Sequence, residues 1–177
     1  MEDNFVVECF FDTILIKAIL KTKKINHKKG CPNVVKEIES GKLKDDFAVG
    51  IIDRDKREFD YIKDKFNEIE KFDNLVLLKH KTKQHYFILI VPAIESWILK
   101  VAEEGGVNIE KFGLSKDLNK LKQETKTMYA EKNQNLLNLC KQLVGSEGKT
   151  IKKLADWLNY LYIENRNADI NKLKENV

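Results

Sequence analysis

Residues 47–53 read Phe-Ala-Val-Gly-Ile-Ile-Asp, and no other stretch limits the fold so sharply. An apolar run without alternation fits a strand covered on both faces, as interior strands of largely parallel sheets are. Such a strand needs strands on either side and helices above and below, so the chain is expected to be α/β. The run stops at Asp53-Arg54-Asp55. Carboxyl ends of strands are where open α/β sheets place their ligands, and residues two apart on an extended chain face the same side. Two carboxylates so placed suit a hard divalent cation such as Mg²⁺, which keeps several of its waters. Asp-x-Asp also suits a turn ahead of a helix, and the rest of the chain must weigh the two.

Residues 4–8 predict a first short buried strand closed by Glu8, and residues 10–22 a helix capped by Asp12 or Thr13. Glu8 thus occupies on its strand the place of Asp53 on the central one, or is simply the first exposed residue there. Residues 21–30 are strongly basic, with a short strand expected around 24–27. Lys28 and Lys29, ahead of Gly30, read equally as a solvated face or as a phosphate-contacting loop. A short helix over 33–41 follows, stopped by Gly41.

Beyond the acids, Phe59, Ile62, Phe66 and Ile69 recur at helical spacing and predict an amphipathic helix over 57–72. Residues 74–80 and 85–91 then read as a hairpin. If the first hairpin strand is parallel to the central strand, the second runs back and Glu95 emerges at the edge opposite Asp53; it joins the acids only if the hairpin is arranged otherwise or a loop returns it. Glu95, in the first turn of the helix opened by Pro92, is either a complement to the helix dipole or a further metal ligand. His80 and His85 flank the hairpin turn, where histidines are more often exposed than ligating.

From residue 105 the chain turns Lys-, Asn- and Leu-rich and reads as wholly helical, with segments at 114–121, 134–144 and 150–162. The expected organisation is an α/β domain over 1–104 and a helical extension over 105–177 packed on it. Gly145-Ser146-Glu147-Gly148-Lys149-Thr150 imitates a phosphate-binding loop, but Leu143 stands where that motif needs glycine, and a helix precedes it instead of a strand. A turn and a helix cap are expected there. A formal net charge of +4 permits contact with nucleic acid without demanding it. Three cysteines lacking any Cys-x-x-Cys spacing indicate neither a disulfide framework nor a structural zinc site. A reduced, cytoplasmic protein with no membrane association is expected.

Glu8 with Asp12 four residues on, at the spacing of a Glu-Gly-x-x-Asp motif, followed by Asp53-Arg54-Asp55 after a later strand, resembles a TOPRIM domain. This is the metal-binding fold of topoisomerases, bacterial primases and OLD-type nucleases. Residues 92–99, Pro-Ala-Ile-Glu-Ser-Trp-Ile-Leu, are similar to a Pro-x-x-Glu-x-Trp-Leu segment of small prokaryotic TOPRIM-like proteins, several encoded among phage-defence genes. The resemblance spans roughly residues 1–101 and leaves out the helical tail. Cys9 stands where the family has glycine.

The resemblance implies a mostly parallel TOPRIM-like central sheet flanked by helices, with a C-terminal helical extension. It further implies a metal-dependent phosphodiesterase acting on nucleic acid, in phage defence or DNA repair, with Mg²⁺ or alternatively Mn²⁺ as its ion. Asp53 and Asp55 would hold the cation, Glu95 would add to them, and Glu8 would complete the shell or act as general base. Lys28, Lys29 and Lys56 would complement charge developing on the phosphate. No tyrosine stands near the acids as a strand-passage nucleophile, which argues against topoisomerase action. Two alternatives stay open. One is a non-catalytic subunit binding Mg²⁺ with a nucleotide or nucleic acid; the other is a fold with structural acids whose C-terminal helices dock a protein partner.

Overall fold

The computed structural model describes residues 4–41, 43, 47–54, 59–125 and 132–174. Strands and helices alternate through β1 (Phe5–Val7), α1 (Phe10–Leu20), β2 (Asn26–His27), α2 (Cys31–Glu39) and β3 (Phe47–Asp53). A short α3 (Asp60–Lys65) leads into β4 (Phe66–Phe72), β5 (Leu75–His80) and β6 (Gln84–Ile90). The remaining helices are α4 (Ile94–Glu104), α5 (Leu118–Thr125), α6 (Gln134–Val144), α7 (Lys149–Glu164) and α8 (Ile170–Lys174).

The six strands form one sheet in the order β2-β1-β3-β6-β5-β4. β1 pairs in parallel with β2 and β3, and β3 in parallel with β6, whereas β5 runs antiparallel to both β6 and β4. The apolar run is thus an interior strand, as its composition requires. Phe47, Val49 and Ile51 enter the larger core on one face, and Ala48 and Ile52 a smaller core on the other. Gly50 is where the sheet leaves no room for a side chain. A Cβ there would lie 2.4 Å from the Phe87 ring and 2.6 Å from Ile38 Cδ1.

From β1 the chain passes through α1 to β2 on one side, then through α2 to β3 on the other. The helices lie on opposite faces, α1 in the larger core and α2 in the smaller. The β1–β3 pair is therefore a topological switch point, the place beyond whose carboxyl ends open α/β sheets put their ligands. α6 and α7 pack on α1, α7 also on α4, and α5 on α4, so the C-terminal helices share the larger core. Trp157 Nε1 donates to the Leu173 carbonyl (3.1 Å) and pins α8 to α7. The imitation phosphate loop is the α6–α7 turn, with Gly145 closing α6 and Gly148 opening α7. No helix among the described residues is long and apolar enough to cross a membrane.

The helix expected over 57–72 is corrected. Among the described residues of that span only 60–65 are helical, and 66–72 form edge strand β4. Phe66 and Ile69 fit a helical stripe, but Asn-Glu-Ile-Glu-Lys between the two phenylalanines also suits an edge, where charged residues discourage pairing with other chains. A register shift between Glu68 and Glu70 bends it further from regularity. The added strand changes the parity of everything after it. β5 runs antiparallel to the central strand and β6 returns parallel to it, the reverse of the expected hairpin orientation. His80 and His85 are buried, at 7% and 1% exposed, contrary to the expectation for a hairpin turn. His80 Nδ1 accepts from the backbone N–H groups of Thr82 and Lys83 (3.1 Å each) and so closes the turn.

Candidate functional site

Four carboxylates gather at the carboxyl edge of the parallel strands. Glu8 follows β1, Asp53 ends β3, Asp12 lies in the first turn of α1, and Glu95 in the first turn of α4. Asp53 pairs in register with Ile90 at the end of β6. The chain leaving β6 therefore brings α4 alongside, and Ile94 N donates to Asp53 Oδ1 (2.9 Å). Glu95 thus emerges at the same edge as Asp53, correcting the expectation that it lies opposite.

Each acid is engaged through part of its acceptor capacity. Glu8 Oε2 accepts from Cys31 Sγ (2.6 Å) and from Asp53 N (3.2 Å), tying β1, β3 and the start of α2 together. The α1 cap is Cys9 instead of Asp12 or Thr13. Its thiol accepts from Asp12 N (3.3 Å), while Asp12 Oδ2 accepts from Cys9 N (3.1 Å), a reciprocal capping box. Cysteine standing where the related motif has glycine is thereby accounted for. Thr125 Oγ1 donates to Glu95 Oε1 (3.3 Å) from α5.

Asp12 is 2% exposed and its Oδ1 is a buried oxygen without a donor. Burial pushes the Asp12 carboxyl up to about 7, with the Glu8 and Glu95 charges adding to it and the Cys9 hydrogen bonds opposing. Asp53 is pushed up to about 9, first by burial and then by the charges of Asp12, Glu8 and Glu95, against the Ile94 hydrogen bond. Asp12 and Asp53 raise one another and lose their protons as a pair. Mutual repulsion among desolvated carboxylates is the strain that a bound cation relieves.

An all-carboxylate donor set and an oxygen with no donor suit a hard divalent cation in chemistry. No group of three or more His, Cys, Asp or Glu side chains stands arranged as a ready metal site among the described residues. Asp53 and Asp12 would have to turn partly away from their helix-capping bonds to ligate. Asp55 and Lys56 lie outside the described residues.

Lys28 and Lys29 lie in the loop between β2 and α2. That loop is anchored at the acids, because Gly30 N donates to the Glu8 carbonyl (3.3 Å). Lys28 pairs with Glu37 (3.1 Å), whereas the Lys29 carbonyl accepts from Asn33 Nδ2 (2.7 Å) and its side chain is exposed. With His27, Asn33 and Lys36 they line a cavity of about 310 Å³. Asp12 and Cys31 are the site residues missed by sequence reasoning. The four-residue spacing of Glu8 and Asp12 was the available signal for Asp12; nothing in the sequence pointed from Cys31 to Glu8. Compared with family models, with curated proteins and with solved structures, the chain matches none of them.

Proposed function

We propose that this protein is a divalent-cation-dependent TOPRIM-like nuclease acting on nucleic-acid phosphodiesters, with Mg²⁺ or Mn²⁺ as its ion. The observation that carries this reading is the gathering of Glu8, Asp12, Asp53 and Glu95 at the switch point, where burial and the neighbouring charges push the Asp12 and Asp53 carboxyls up. Asp53, Asp12 and Glu95 would hold the cation, with Asp55 as a fourth candidate from the sequence. When bound, the ion supplies Lewis-acid polarisation of the phosphate and charge neutralisation at the leaving oxygen. Glu8, held by Cys31 and the Asp53 amide, would accept the proton of the attacking water. Lys28 and Lys29 would bind the flanking phosphates.

A second reading is favoured by a specific observation: Asp53 and Asp12 accept backbone N–H groups at the starts of α4 and α1. In that reading the acids are structural caps, and the C-terminal helices serve a protein partner. The test is incubation of labelled single- and double-stranded DNA and RNA with wild type, Asp53→Ala and Glu95→Gln, each with Mg²⁺, with Mn²⁺ and with EDTA. Cation-dependent cleavage lost in both variants is the expected result. Cleavage by none, with all three proteins folded, would leave the capping reading.

A further inference from the structure

We infer that the cavity beside Asp53 is a nucleobase pocket, so that the substrate is an unpaired nucleotide whose base lies there with its phosphate toward the acids. The inference rests on the proposed function and names its substrate class. The cavity holds about 220 Å³ and is lined by Ile52, Leu78, Leu89, Phe59, Ile62 and Phe66, with Asp53 and Arg54 also on its wall. Sites for drug-sized ligands run about 300–1,000 Å³, so this one has room for a single ring system.

The cavity follows from how the second sheet face is covered. The larger core face is roofed by α1, α4, α6 and α7, but among the described residues the other carries only α2 and the six-residue α3. α2 lies over β1 and β3, and α3 leads into the far edge strand β4, leaving the middle of the face short of cover. Ile52 pairs in register with Leu89, and Leu78 lies across from Phe87, one same-face position away. Strands stand about 4.8 Å apart, so side chains from three of them make a floor about 10 Å across, flat and apolar. These residues remain 3%, 6% and 8% exposed for Ile52, Leu89 and Leu78, whereas their counterparts on the other face, Ile51, Ile88 and Leu77, are fully covered.

The polar groups select among occupants. Arg54 and Lys63 add cations and Glu68 an acceptor to an otherwise apolar lining, as recognition of a base edge and a phosphate requires, and a guanidinium also stacks on flat rings. An alkyl chain would use none of these. Asp53 ends the strand whose Ile52 floors the cavity, so the cavity adjoins the acid-bearing end of the sheet, toward which the phosphate of a base held there would lie. A base inside a duplex cannot enter such a pocket without leaving its stack, which makes single strands, ends or flaps the favoured substrate.

The test uses the full chain and two probes. Adenosine and cytidine, which carry no phosphate, should shift the methyl NMR signals of Ile52, Ile62, Leu78 and Leu89. A single-stranded oligonucleotide should bind about 5–100-fold more tightly than the same strand with one abasic residue at the bound position, the range expected for loss of one stacked base. Ile62→Trp, at a half-buried helix position, should fill the cavity, abolish the nucleoside shifts and bring the intact strand to abasic affinity while leaving cation affinity unchanged. Phe59→Ala is the second variant and should weaken nucleoside binding without filling the space. Absence of nucleoside shifts with equal affinity for intact and abasic strands would overturn the inference, as would an isolated alkyl alcohol or a partner's aromatic peptide competing better than nucleoside. Because the nucleoside arm needs neither cation nor cleavage, failure of the nuclease reading would show separately, as methyl shifts intact with no cation bound.

Discussion

Replacing Asp53 with asparagine should make the cation-free protein more stable above neutral pH, although it alters the residue at the centre of the site. The folded-state carboxyl is pushed up to about 9 from an ordinary 3.8. Between those limits the native protein keeps a proton that the unfolded chain has released, so stability falls as pH rises through the window, by about 1.4 kcal/mol per pH unit at most. At pH 8 roughly four units have been crossed, a ceiling of about 6 kcal/mol. Rotation of the half-buried side chain toward solvent reduces it, and a gain of about 2 kcal/mol in Asp53→Asn is the working expectation. The amide oxygen still accepts from Ile94 N, so the α4 cap is kept. In a chain of this size that gain raises the unfolding midpoint by about 4–8 °C. The assay is thermal and urea unfolding of both proteins in EDTA at pH 5 and pH 8. The difference should fall to roughly a third at pH 5, and Mg²⁺ at pH 8 should stabilise only the wild type. A variant less stable than wild type at pH 8, or a difference independent of pH, would refute the electrostatic argument.

Gly50→Ala should cost about 1–3 kcal/mol by overpacking, because the new methyl meets the Phe87 ring and Ile38 at once. Urea midpoints check it, and Phe87→Leu in the same chain should recover part of the loss. Lys29→Ala should lower the salt dependence of nucleic-acid binding by about one phosphate contact. Lys28→Ala should lower it less, since Lys28 is already paired with Glu37; equal slopes for the two variants would count against this assignment.

The central strand was legible because burial on both faces leaves no choice of residues but apolar ones, and the α1, α4, α6 and α7 stripes were legible for the same reason on one face. β4 was not. Phe59, Ile62, Phe66 and Ile69 satisfy a helical period across a boundary that lies between Lys65 and Phe66, and the charges that suit an edge strand suit the solvent face of a helix equally well. That single miss propagated, because the orientation of a hairpin depends on how many reversals precede it. It put Glu95 at the wrong edge, although the residue itself had been singled out. Asp12 was seen only as a cap or as part of a motif spacing; the groups that feel its charge, Glu95 on α4 and Cys140 on α6, lie far along the chain. Local sequence reports which residues end a strand, but the convergence of four such ends is a property of the sheet order.

Calorimetric titration of Mg²⁺ and Mn²⁺ into the wild type and Asp53→Ala at pH 7.5, in two buffers of different ionisation enthalpy, tests the central claim most directly. The account predicts saturable binding to the wild type with release of protons, because at this pH Asp53 carries a proton that a cation must displace. Binding should be lost in Asp53→Ala. Absence of binding to the folded wild type, with nucleic acid present as well as without it, would contradict the account and leave the four acids as helix caps at the edge of the sheet.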